Sequence, residues 1–137
     1  MVTRVCGSHY AQDFDAGLES RTVTAGPVSV VTFRVSPVPS GTAPVRSFKM
    51  MVRLTAGAEA TIRTATAGTV LGYDRGRFRK DNVYRLGDGE TSVRFVGCPG
   101  GAAVFNGIVL TTGPRTIGLE VVADGHLRRV TVTAYGS

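Results

Sequence analysis

The six residues from Arg75 to Lys80, Arg-Gly-Arg-Phe-Arg-Lys, are the densest cationic run in the sequence. In an extended chain successive side chains alternate between faces, so Arg75, Arg77 and Arg79 fall on one side and Phe78 on the other. A row of guanidinium groups binds phosphate or carboxylate in bidentate fashion, and an exposed Phe78 offers a ring for stacking. Arg75, Arg77, Arg79 and Lys80 therefore form the candidate anion-binding site. Asp74 and Asp81 bracket the run and blunt its field, which is also how a solvated, arginine-rich hairpin reads.

The other chemistry-bearing residues form weaker patterns. A nucleophilic triad needs a histidine to take the serine's proton and a carboxylate to orient it. The two histidines are His9 and His126, the latter directly after an Asp124-Gly125 turn, and no serine sits in a GxSxG elbow. His9 with Asp13 and Asp15 matches no zinc spacing, and Asp13-x-Asp15-x-Gly17 lacks the remainder of a calcium loop. Met50-Met51 offers two soft sulfurs, but neighbours on a strand face opposite ways, so one of them is core. Cys98-Pro-Gly-Gly101 has no lysine after it, and Gly87-Asp-Gly89 lacks the third glycine of a dinucleotide turn. The sequence thus predicts no catalytic residue, no metal site and no cofactor.

Two cysteines, Cys6 and Cys98, stand alone, neither in a CxxC. The pair reads as a disulfide that staples the N-terminus to the core and implies an oxidising compartment. Two reduced thiols in a cytosolic protein are the other reading. Met1-Val-Thr-Arg leads into Cys6 without an apolar stretch. An extracellular or cell-surface home therefore requires that a leader or anchor was removed.

The elements that would position these groups belong to one core, which 137 residues suit. The 18 glycines, with abundant valine and threonine, favour strands joined by tight turns over helices. Strands are expected at 21–25, 28–35, 46–54, 60–64, 69–73, 83–86, 91–96, 115–122 and 127–134. Phe48, Met50, Val52 and Leu54 alternate with Ser47, Lys49, Met51 and Arg53. Ile117, Leu119 and Val121 alternate in the same way, and Asp124-Gly125 marks a hairpin. Residues 87–89 read as a tight turn using positive φ. Residues 1–20 read as an N-terminal loop with at most one helical turn after Cys6, and 36–44 as a loop with three prolines. Eight or nine short strands without a long helix describe a single all-β domain over 1–137, a two-sheet antiparallel sandwich of Ig-like or jelly-roll-like kind.

Tyr73-Asp74, Asn82, Tyr84, Gly87-Asp-Gly89, Val93-Arg-Phe95, Cys98-Pro99, Phe105-Asn-Gly107, Gly113-Pro-Arg115 and Leu119-Glu-Val121 follow one another in an order that resembles an uncharacterised family of small secreted or membrane-anchored actinobacterial envelope proteins. Thr22-Val-Thr-Ala-Gly-Pro27 is similar to that family's N-terminal segment. This sequence has Thr116 where the family carries a further cysteine. The resemblance implies an envelope location and a β-sandwich, and it implies no activity.

The net charge of +6 favours acidic partners and also serves solubility. The expectation is a non-catalytic extracytoplasmic module that binds a protein or an anionic polymer at the cell surface. The alternative is a polyanion-binding domain acting on nucleic acid, wall polymer or anionic lipid through residues 75–80. An unrecognised enzyme and a phage structural protein rank below these.

Overall fold

A computed structural model describes residues 2–6, 20–33, 45–73, 85–112 and 116–133. Eleven strands run through them: β1 (Val2–Arg4), β2 (Ser20–Ala25), β3 (Val28–Phe33), β4 (Arg46–Leu54), β5 (Glu59–Thr64), β6 (Thr69–Gly72), β7 (Ser92–Val96), β8 (Ala103–Phe105), β9 (Ile108–Thr111), β10 (Thr116–Ala123) and β11 (His126–Thr133). They form a five-stranded sheet, ordered β1-β7-β5-β10-β11, and a six-stranded sheet, β2-β3-β4-β9-β6, with β8 also paired to β4. The protein is an all-β, two-sheet sandwich. No helix among the described residues is long and apolar enough to cross a membrane.

Period-two alternation builds the core. Ile117, Leu119, Val121 and Ala123 are buried, and the intervening residues of β10 are partly or fully exposed. From the facing sheet come Val28, Val30, Phe48, Met50, Val52 and Leu54. Tyr73, Phe95 and Phe105 form an aromatic chain at the centre. Tyr73 meets Phe95 edge-on with centroids 5.0 Å apart, and Phe105 lies 5.1 Å beyond. The Tyr73 hydroxyl donates to the Met50 carbonyl at 2.6 Å, which satisfies a polar group that would otherwise be stranded in the interior.

The β10–β11 hairpin turn, and the β4–β5 connection that crosses from the six-stranded to the five-stranded sheet, follow from their turn residues. Asp124 and Gly125 have φ of 53° and 73°, the paired positive values that match the twist of the flanking strands. In the β4–β5 turn Gly57 has φ 74°, and the Ala58 amide donates to the Thr55 carbonyl. Along the sandwich's open side β11 runs beside β2. There Arg128, opposite inward-facing Val121, lays its guanidinium against Gly26 of the β2–β3 turn. An inward-pointing charge on an edge strand opposes pairing with another sheet.

Several expectations need correction. Residues 2–4 are not loop: β1 adds to the sheet parallel to β7, with Val2 opposite Val93 and Arg4 opposite Phe95. Residues 87–89 do not use positive φ, since Leu86–Asp88 make a 3-10 turn and Gly89 has φ −98°. Glycine is required at 89 by space, because a Cβ there would stand 2.3 Å from Val70 Cγ2. Of the strand expected at 83–86, Arg85 and Leu86 are not strand, and 83–84 lie outside the described residues. Strands β8 and β9 were not expected. Met50 and Met51 do face opposite ways, yet both are buried: Met51 packs with Val31, Phe33 and Val104 on the outer side of the six-stranded sheet.

Candidate functional site

β5 and β10 pair from Thr64↔Leu119 to Thr61↔Val122, and there the ladder ends. The strands then part, β5 back toward the β4–β5 turn and β10 into the Asp124-Gly125 turn. Between the two turns a groove of about 380 Å³ opens at the end of the sheet, lined chiefly by Gly57, Glu59, Thr61, Arg94, Val122 and Asp124. Alternation explains why these side chains reach it. Thr61 and Arg94 are register partners on β5 and β7, so both project outward while Ile62 and Phe95 go to the core.

Arg94 pairs with Glu59 at 2.5 Å, both about half exposed. One register step along the sheet, Glu120 of β10 lies between Arg63 of β5, at 3.6 Å, and Arg129 of β11, at 3.5 Å. Cross-strand registers place all three on one row, Arg63↔Glu120↔Arg129. Solvent screens these pairs, so each contributes at most about 1 kcal/mol. Their consequence is a flat, ordered polar face with two guanidinium groups sharing one carboxylate. Chemically the groove offers carboxylates, one paired guanidinium, a hydroxyl and a small apolar floor.

The predicted site residues fall as follows. Cys6 and Cys98 form a disulfide, with Cα atoms 4.9 Å apart. The parallel register of β1 on β7 carries Cys6 to the end of β7, where Cys98 begins a turn bridged to Gly101. The Cys98 carbonyl accepts a hydrogen bond from the Gly57 amide at 2.8 Å, so the disulfide backs directly onto the groove's β4–β5 wall. Arg75, Arg77, Arg79 and Lys80 lie outside the described residues, as do His9, Asp13 and Asp15. His126 is exposed at the start of β11. Among the described residues no three His, Cys, Asp or Glu side chains gather as a metal site would need.

Sequence reasoning missed the groove. Glu59, Arg94 and Asp124 come from three separate segments, and only strand order and register bring them together. No family of known proteins matches the chain, and a search of curated proteins finds no match to its sequence.

Proposed function

We propose that this chain is a non-catalytic binding module of an extracytoplasmic envelope protein, of the kind its motif order resembles. The observation that carries the reading is the groove where β5 and β10 part. Its walls are turns on a rigid sheet, the usual placement for a recognition surface. Open at the sheet end and edged by strands, it suits an extended segment of a partner protein. The Cys6–Cys98 bond supports an oxidising setting, where such bonds persist.

Filling the groove tests this. Thr61→Trp occupies the floor, and Arg53→Ser, exposed on the opposite sheet, is the control. Immobilised protein is challenged with the envelope fraction of source cells, and retained proteins are compared across variants. A partner lost from Thr61→Trp alone supports the reading, and equal retention by all variants overturns it.

The net charge of +6 favours a second reading, polyanion binding with Arg75, Arg77, Arg79 and Lys80 as contacts. Arg75, Arg77 and Arg79 changed together to serine are compared on heparin with Arg21, Arg46 and Arg53 changed together, three exposed residues of β2 and β4. A dedicated site loses far more in the first triple variant, with the salt slope falling by about 0.7–0.9 per lost contact. Indistinguishable elution refutes it.

A further inference from the structure

We propose that Asn106 is a site of spontaneous covalent modification, converting to aspartate or isoaspartate through attack by the Gly107 backbone nitrogen. β8 and β9 lie along one edge of β4 in a single register: Val52 faces Phe105, and Lys49 faces Ile108. The ladder is interrupted at Asn106-Gly107, opposite Met51 and Met50. Among the described residues Gly107 is held through its carbonyl, which accepts from the Met50 amide at 3.1 Å. The Gly107 nitrogen thus sits outside both strands. Asn106 Oδ1 is buried with no hydrogen-bond partner among the described residues, so none of them anchors the side-chain amide through that oxygen against rotation.

Packing fixes the residue that follows. A Cβ at position 107 would stand 2.3 Å from Cε1 of Tyr73, and the Tyr73 ring is itself held by Phe95 and by the Met50 carbonyl. Position 107 is therefore confined to glycine, the residue that shields its own nitrogen least. The core thereby keeps a reactive pair in place: electrophile and nucleophile are neighbours in one chain, and their encounter carries no bimolecular cost.

A bond forms between the Gly107 nitrogen and Asn106 Cγ. The bond from Cγ to the side-chain nitrogen breaks, and ammonia leaves with the former Gly107 amide proton. Solvent water then opens the five-membered imide. Addition at Cγ gives aspartate, and addition at the main-chain carbonyl gives isoaspartate. Either product places a carboxylate where a neutral amide stood. Isoaspartate also adds a methylene to the backbone between two halves of a registered strand, so aged protein should lose order along β8, β9 and their β4 edge.

The chain supplies its own comparator. Its other asparagine, Asn82, precedes Val83, whose branched Cβ crowds the nitrogen. Folded protein is incubated at neutral and mildly alkaline pH, digested, and read by mass, the product peptide being about 1 Da heavier. Conversion at Asn106 should outrun Asn82 and quicken with pH. The thermal midpoint of aged wild type should fall while that of aged Asn106→Gln holds. If Asn106 stays intact over a period in which urea-unfolded chain converts fully, or converts no faster than Asn82, the proposal is wrong.

Discussion

Removing the buried hydroxyl at the centre of the sandwich gives a sharp test of how the core is held. Tyr73→Phe keeps the ring against Phe95 and deletes the donor to the Met50 carbonyl. That carbonyl stays buried and loses a partner, which costs about 1–3 kcal/mol. The same burial pushes the phenol's pKa well above its ordinary value, because the phenolate would be desolvated. Below pH ~10 the hydroxyl is protonated in folded and unfolded chains alike, and its full contribution is present. Above that pH the unfolded chain releases the proton and the folded chain retains it. Stability then falls by about 1.4 kcal/mol per pH unit for this one group.

The wild-type advantage over Tyr73→Phe should therefore be about 2 kcal/mol at pH ~8 and should shrink by about 1.4 kcal/mol near pH ~11. Urea denaturation followed by far-ultraviolet circular dichroism measures both. Tyr10, Tyr84 and Tyr135 are common to the two proteins, so their ionisation cancels in the difference. A gap that does not change with pH, or a folded-state spectrophotometric titration in which Tyr73 ionises normally, refutes the reasoning.

Three further outcomes follow from burial, register and cross-linking. Leu119→Ala opens a void between the sheets and should cost about 2–5 kcal/mol in chemical denaturation. Glu120→Ala, next to it but outward, should cost less, no more than about 2 kcal/mol, since it loses two screened contacts, with Arg63 and Arg129, of at most about 1 kcal/mol each; equal costs would mean the register is wrong. The Cys6–Cys98 bond spans 92 residues, so Cys6→Ser with Cys98→Ser should lower stability by about 4–5 kcal/mol in the chain-entropy model, and a loss under about 1 kcal/mol would contradict that model.

The sandwich was legible because its strands obey a local rule. Ile117, Leu119 and Val121 alternate with polar neighbours, and Asp124-Gly125 is a turn whose backbone demands are written in its two residues. β1 and β8 escaped because three residues carry too little alternation to register. β9, with Val109, Leu110 and Thr111 buried in succession, reads as a short apolar run rather than an alternating one. β1 exists only through its parallel partner and the disulfide beyond it. Gly87-Asp88-Gly89 is misleading because a Gly-Asp-Gly run suggests a turn that needs positive φ. At Gly89 the demand is steric, set by Val70 on a different strand.

The groove was illegible for a deeper reason. Its lining residues have no spacing in the chain that relates them. Glu59 and Arg94 become a pair only because β5 and β7 are antiparallel neighbours, and Asp124 joins them only because β10 lies on the other side of β5. The two cysteines were different: a bond between them needed only that there be two, and it predicted a long-range contact correctly. That contact proves to be part of the same end of the molecule. Cys98 holds the Gly57 amide, and the Gly97 amide reaches the Ala58 carbonyl at 2.8 Å, so one groove wall is braced by the cross-link. Reducing the disulfide should therefore raise amide exchange in residues 57–59 as well as in β1, while the Asp124-Gly125 wall, hydrogen-bonded within its own hairpin, keeps its protection. Exchange that rises at both walls alike, or at β1 alone, would show that the cross-link does not brace the groove.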